Sequence, residues 1–272
     1  MPELPEVETA RRLLAPVLVG ERITEVVLRR ADLRAPFPAD FAARLTGHTV
    51  LELHRRAKHL LADLSSRETL LMHLGMSGDF RVEHGGDVQP LDRHDHVILR
   101  LASGAVVTFN DPRRFGSMDL VRTDTLSEHP VIGALGPEPL SASFTPAVLA
   151  RACRGRTTPI KVALLDQRIV AGLGNIYVVE ALHRAGLSPL RRASVIATAT
   201  GAPRPVALRL VPAIKQVLTE AIERAANASY RGGRFRVYDR EGKACLRSRC
   251  DGVIRRRTQA GRSTFYCPVC QR

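Results

Sequence analysis

Residues 96–111 read HVILRLASGAVVTFND. Both arms are mainly apolar, and Ser103 and Gly104 stand between them as a turn pair, so the run is read as a β-hairpin. Runs of the same kind surround it: ITEVVLR (23–29), TVLELHR (49–55), HLLADL (59–64), ETLLMHL (68–74) and DFRVEH (79–84) precede it, and SMDLVR (117–122) follows. Several alternate apolar and polar residues. Many short strands broken by turns predict a β-sandwich or barrel for this half of the chain.

Upstream of the strands stands MPELPEVETA (1–10). It lacks the basic, apolar-run character of a secretory or transit leader. Pro5 suits the first turn of a helix, Glu6 and Glu8 complement its positive end, and Val7, Ala10, Leu14 and Val17 share a face. Pro2 is not explained by that helix. A small penultimate residue favours removal of Met1, which would leave Pro2 a free secondary amine. An ordinary α-amine titrates near 7.7–8, so roughly a tenth is neutral and nucleophilic at pH 7. Helix entry and nucleophile are both open on these residues alone.

Downstream, HPVIGALGPEPLSASF (129–144) reads as a linker, after which helical signals take over. FTPAVLARACRG (144–155) has Thr145 as N-cap, Pro146 at the first position and Gly155 as stop, and TTPIKVALLDQ (157–167) repeats the device with Thr158 and Pro159. NIYVVEALHRAG (175–186) and PVALRLVPAIKQVLTEAIERAA (205–226) complete the helical part. From Tyr230 the chain is arginine-rich and short-stranded.

The chain has 272 residues, with 41 Lys and Arg against 27 Asp and Glu, a formal charge of +14. Such an excess, carried mainly by arginine, favours a polyanion, most simply nucleic acid. No run approaches the ~18–20 apolar residues needed to span a bilayer. A cytoplasmic protein with no membrane partner is therefore expected.

Four of the five cysteines fall in the tail, as CLRSRC (245–250) and CPVC (267–270). Two such pairs suit a tetrahedral zinc site of Cys245, Cys250, Cys267 and Cys270; two disulfides are the alternative in an oxidising compartment. The intervening segment is too short for a core without the metal. Cys153 reads as a buried core thiol.

Three further clusters carry candidate contacts. In DPRRFG (111–116) a turn at Asp111 and Pro112 can present Arg113, Arg114 and Phe115 to a base stack, the alternative being a core phenylalanine. Met76 stands between glycines in HLGMSGD (73–79), as a protruding tip or a core filler. GLGNIY (172–177) opens a helix at Asn175, where backbone amides can hold phosphate.

In order, MPELPEVET (1–9), RRAKHLL (55–61), HLGMSGDF (73–80), RHDHV (93–97), NDPRRFG (110–116), LGPEPL (135–140), LLDQRIVAGLGNIYVVEAL (164–182) and GRSTFYCPVCQR (261–272) resemble formamidopyrimidine-DNA glycosylases of the Fpg/Nei family. The resemblance runs from end to end. It implies an α+β multidomain fold: an N-terminal β-sandwich with flanking helices (1–134), a helical helix-two-turn-helix domain (135–232) and a C-terminal zinc-finger β-hairpin (233–272), with DNA between them.

The resemblance also implies roles. Pro2, freed of Met1, would attack the sugar carbon bearing the damaged base, Glu3 would act as acid and base in base release, Lys58 as general acid of β-elimination and Arg262 of δ-elimination. Met76, Arg113 and Phe115 would fill the gap left by the flipped nucleotide, with Arg113 on the orphaned cytosine. His94, Arg113, Arg156 and Asn175 match DNA-contacting positions, Arg156 standing where the family usually has lysine. The implied partner is double-stranded DNA containing oxidised bases or abasic sites, the implied cofactor one structural Zn2+, and the implied state a monomer.

Two departures accompany the match. Four residues separate the first cysteine pair where the family commonly has two, and ERAANASYRGGRFRVYDREG (223–242) is shorter than the loop of relatives that prefer 8-oxoguanine. Formamidopyrimidines followed by 8-oxoguanine are the expected lesions. The alternatives are oxidised pyrimidines, as in the Nei branch, a non-catalytic damaged-DNA-binding protein, and an RNA-binding zinc ribbon.

Overall fold

The computed structural model describes residues 2–85, 90–227 and 235–272. Met1 and the first half of the short 229–240 loop, including the expected 232/233 boundary, lie outside the described residues. The chain divides into two compact units, Met1–Gly133 and Ala134–Arg272.

The first unit opens with α1 (Leu4–Leu18), then β1 (Ile23–Leu28), α2 (Phe41–Leu45), β2 (Val50–Arg56), β3 (His59–Leu64), β4 (Glu68–His73), β5 (Asp79–Glu83), β6 (Asp95–Leu101), β7 (Val106–Asn110), β8 (Ser117–Arg122) and the single turn α3 (Pro130–Gly133). The strands form two antiparallel sheets, ordered β1-β6-β7-β5 and β2-β3-β4-β8. The hairpin read from residues 96–111 is β6–β7, with Gly104 in its turn at φ +83. Leu60, Leu64 and Met72 of one sheet and Val97, Val107 and Phe109 of the other are buried in one cluster, closed by Val7, Leu14 and Leu18 of α1. The architecture is thus a sandwich with its first helix packed on the core.

The entry of α1 shows what the acidic start does. Glu3 is the N-cap and exchanges capping-box bonds with Glu6, whose carboxylate accepts the Glu3 N–H at 2.7 Å. Glu8 instead pairs with Arg11, Arg12 and Arg55 at 2.9, 3.1 and 3.3 Å. Burial raises its pKa, but these guanidiniums, Arg11 foremost, hold the carboxyl below its ordinary range.

The second unit contains α4 (Pro146–Cys153), α5 (Ile160–Leu165), α6 (Asn175–Ala185), α7 (Pro205–Asn227), β9 (Arg255–Gln259) and β10 (Arg262–Tyr266). Thr145 caps α4 as its sequence predicts, accepting the Val148 N–H at 3.3 Å. The second Thr-Pro pair behaves differently: Pro159 is itself the N-cap of α5, and the first helical amide, Ile160, donates to the Arg191 carbonyl at 2.7 Å. Strand-like pairing with a distant segment replaces the local cap. Cys153 is fully buried, and burial pushes its thiol up to about 11. The α6 and α7 helices are joined by a bidentate Arg184–Glu220 pair at 2.7 and 2.8 Å. Among the described residues no helix is long and apolar enough to cross a membrane.

Candidate functional site

In the first unit, Pro2 is half-buried directly ahead of α1, and Glu3 behind it is 1 % exposed. Lys58 lies in the tight connection between β2 and β3, after Ala57 at φ +55. One side chain ties this connection to the first helix: Arg55 donates to the Ala57 carbonyl at 2.9 Å and to Glu8 of α1 at 3.3 Å. The bridge holds the lysine turn against the helix that Pro2 and Glu3 begin.

Next to Lys58 is a pair that sequence reading passed over. His59 on β3 and His73 on β4 are cross-strand partners with ring centroids 4.8 Å apart. The His73 Nδ1 accepts the Gly75 N–H at 3.0 Å, which leaves its Nε2 to carry the hydrogen in the neutral ring. Burial, with the neighbouring His73, His129 and Lys58, lowers His59 to about 3; burial, with Lys58 and Arg34, lowers His73 to about 4. Both rings are neutral at pH 7.

The sign of the linkage follows from those depressed values. As pH falls below about 6.5 the unfolded chain binds protons that the folded pair refuses, so stability is lost from there down toward pH 4. His59→Phe keeps an aromatic stack and removes one titration. The expected result is a melting temperature that falls less between pH 6.5 and 4.5 than in the parent, measured by circular dichroism; parallel curves would contradict it.

Two turns meet beyond this pair. Gly75 has φ +63, and a Cβ there would lie 2.2 Å from the Phe115 backbone carbon, so only glycine permits the approach. Asp111, fully buried, organises both sides: it accepts the Ser77 hydroxyl at 2.5 Å and the Gly116 N–H at 2.7 Å, while the Arg113 N–H reaches Ser77 Oγ at 3.2 Å. The consequence is outward presentation. Met76 is 39 % and Phe115 42 % exposed, and the Arg113 guanidinium lies 4.9 Å from the Phe115 ring centroid. Neither apolar side chain is the core filler that their types alone allowed. The His94 carbonyl accepts the Asp111 N–H at 3.0 Å, and its ring accepts from Arg93 at 2.9 Å.

In the second unit, the turn between α5 and α6 is stapled by Gln167. Its amide donates to the Leu165 and Leu173 carbonyls at 3.0 and 2.9 Å and accepts the Gly172 N–H at 2.9 Å. Asn175 is the first residue of α6, and its Nδ2 donates to the Ser263 carbonyl of β10 at 3.0 Å. The helix start is thereby coupled to the terminal hairpin. Arg262 opens β10 after a two-residue turn, Ala260–Gly261, with both φ positive, and is exposed at its tip. Arg156 is also exposed, its Nε on the Ala152 carbonyl at 2.7 Å.

The four tail cysteines converge. Their sulfurs all lie within 4.8 Å of one another, Cys245 and Cys270 at 3.8 Å and Cys250 and Cys267 at 3.6 Å. A disulfide would need about 2.05 Å. A tetrahedron with metal–sulfur bonds of ~2.3 Å has edges of about 3.8 Å, so the set fits one thiophilic ion.

Two residues of α6 buttress this end and were not singled out from the sequence. The Glu180 carboxylate, 7 % exposed, accepts the N–H groups of Arg236, Val237 and Tyr238, each at 2.9 Å. His183, 1 % exposed, has Nε2 at 3.4 Å from Cys245 Sγ. Burial and the arginines Arg247, Arg236 and Arg184 lower it to about 4, so a neutral ring faces the sulfur. Their signal was a glutamate and a histidine on the otherwise apolar NIYVVEALHRA.

A model described as the formamidopyrimidine-DNA glycosylase N-terminal domain matches residues 1–118, and one described as the formamidopyrimidine-DNA glycosylase H2TH domain matches 135–231. The chain is 54% identical to a formamidopyrimidine-DNA glycosylase of Azorhizobium caulinodans over 293 aligned residues, covering 100% of both. It is similar to a crystal structure of the Lactococcus lactis enzyme bound non-covalently to DNA containing an AP site, at TM-score 0.87 and 32% identity over 100% of both chains. A MutM structure in complex with DNA containing carbocyclic 8-oxo-G matches at TM-score 0.87 and 32% identity, again over 100% of both chains.

Proposed function

This chain belongs to the formamidopyrimidine-DNA glycosylase family, and from that premise we propose how its own residues divide the chemistry. It is a DNA glycosylase for oxidised purines, acting on DNA that carries such bases or abasic sites. Relatives at 54% identity over the whole chain carry the glycosylase name, which disfavours a Nei-like pyrimidine preference and a purely DNA-binding role.

Base release needs a nucleophile on the sugar carbon and a proton for the departing base. After removal of Met1, the Pro2 nitrogen attacks C1′ and the N-glycosidic bond breaks as the departing base takes a proton. The nitrogen then loses its own proton and the C1′–O4′ bond opens with protonation of O4′, leaving C1′=N⁺, with Glu3 as acid and base in these transfers. The secondary amine yields an iminium with no N–H proton to lose, so it stays cationic and acts as electron sink. Lyase activity follows: Lys58 serves as general acid of β-elimination and Arg262 of δ-elimination, so the strand is cut on both sides of the sugar. The Glu8–Arg55–Ala57 bridge supports this reading because it orients the lysine turn against the helix that the nucleophile precedes.

The observation that carries the DNA-reading part is the outward presentation of Met76, Arg113 and Phe115 around buried Asp111. A flipped nucleotide leaves a hole in the stack, and two apolar tips beside a guanidinium fill it while hydrogen-bonding the orphaned base. Arg113→Ala is expected to lower single-turnover excision of 8-oxoguanine opposite cytosine by roughly 10–100-fold, since a charged base contact is worth ~1–3 kcal/mol. Discrimination against adenine in the opposite strand should shrink with it. An unchanged cytosine-to-adenine ratio would remove Arg113 from that role.

His94, Arg156 and Asn175 serve as phosphate or backbone contacts in this scheme. Asn175 has one amide hydrogen committed to Ser263, which leaves its second for a phosphate oxygen. Cys245, Cys250, Cys267 and Cys270 would hold one zinc ion, which would supply a structural cross-link. His183 donates its Nε2–H toward the Cys245 thiolate and orients it.

A further inference from the structure

The helical unit carries a basic concavity that the proposed chemistry leaves unused. It encloses about 480 Å³ and is lined by Leu190, Arg191, Arg192, Ser194, Val195 and Arg204, with no acidic residue among them. Its floor is built by backbone pairing. The segment after α4 runs beside residues 191–194: Ile160 N–H donates to the Arg191 carbonyl at 2.7 Å, Ala193 N–H to Thr158 at 2.8 Å and Ser194 N–H to Arg156 at 3.1 Å. Arg204 closes the opposite wall, its N–H on the Ile196 carbonyl at 2.9 Å. All three lining arginines are exposed.

Three arginines of the same unit, Arg168, Arg184 and Arg256, have a carboxylate partner. Arg168 pairs with Asp166 at 2.9 Å and Arg184 with Glu220 at 2.7 Å. Among the described residues, Arg191, Arg192 and Arg204 have no carboxylate within ion-pair distance. Guanidinium forks match paired phosphate oxygens, and an open trough suits a continuous phosphodiester chain better than a small enclosed anion. Arg156, itself proposed as a DNA contact, adjoins this segment in the chain pairing, its carbonyl accepting the Ser194 N–H.

We propose that Arg191, Arg192 and Arg204 form a second seat for the DNA backbone, gripping phosphates that adjoin the one held by Arg156. The inference rests on the glycosylase reading, since the polyanion is the enzyme's own duplex. Each arginine releases about one counterion's worth of salt dependence, a slope of ~0.9 per phosphate.

The test is fluorescence anisotropy with a duplex carrying a tetrahydrofuran abasic analogue, titrated between 50 and 400 mM salt. Arg191→Ala/Arg192→Ala/Arg204→Ala is expected to flatten the slope of log K against log salt by about 2–3. The Arg→Lys triple, which keeps the charge, should retain most of the parent slope. A parent-like slope in the alanine triple overturns the proposal, as does a lysine triple that loses as much as the alanine one. Excision of 8-oxoguanine by the parent protein separates the two readings: a parent that excises while the alanine triple keeps its slope loses only this seat, whereas a parent that releases no base loses the glycosylase reading first.

Discussion

Stripping the proposed zinc ion, or replacing Cys267 by serine, is expected to unfold the terminal hairpin and weaken duplex binding by about 100-fold in 0.15 M salt, about 2.7 kcal/mol. The hairpin cannot hold itself. Its cluster consists of Val237, Cys245, Ile254, Phe265 and Cys267 with Val179 of α6, far short of an independent core. Two strands of five residues each are marginal in water, whereas a structural zinc site contributes ~10–16 kcal/mol of apparent binding energy to such a segment. Loss of the fold removes Arg262 from its turn and the Ser263 carbonyl from Asn175. His183→Ala should act in the same direction but less, weakening zinc by ~10–100-fold. Zinc release followed with a colorimetric chelator, alongside anisotropy on the same duplex, checks both. Full DNA affinity in metal-free protein would contradict the cross-link.

Blocking the Pro2 nitrogen is expected to have the larger effect on turnover. An N-terminal extension converts the secondary amine to an amide whose lone pair is delocalised, and base release should fall by at least ~10³-fold, about 4 kcal/mol of barrier. Glu3→Gln should cost roughly 10²–10⁴-fold, as loss of a positioned proton donor does. The blocked protein should still bind the abasic duplex, because Met76, Arg113 and Phe115 are held by Asp111 and not by the N-terminus. Single-turnover excision with binding measured in parallel separates the two effects; base release at the parent rate from an extended protein would exclude the amine.

Much of the fold was legible because it is written in local periods. Short apolar or alternating runs between turn residues marked the strands of the sandwich, and Thr145 with Pro146 marked the start of α4. Strand order was not legible: β1 pairs with β6, some seventy residues away, and no local pattern names that partner. Thr158 and Pro159 repeat the capping signal, yet the helix starts later because Ile160 finds the Arg191 carbonyl.

The candidate site divides along the same line. Residues read through motif resemblance could be numbered in advance, but the groups that orient them could not. Glu180 and His183 look like ordinary helix residues until the fold brings the Arg236–Tyr238 amides and the Cys245 sulfur to them. His59 and His73 are fourteen positions apart in sequence and meet only through strand register. Long-range pairing makes these contacts, and a single sequence carries no direct trace of it.

Borohydride trapping tests the central chemistry most directly, using protein whose loss of Met1 has been established by intact mass. The substrate is a duplex with 8-oxoguanine opposite cytosine. A covalent protein–DNA adduct whose linkage maps to Pro2, and which is absent from the extended protein, is the expected result. Base release without any adduct, or an adduct that maps to Lys58 and survives the extension, would contradict the proline mechanism.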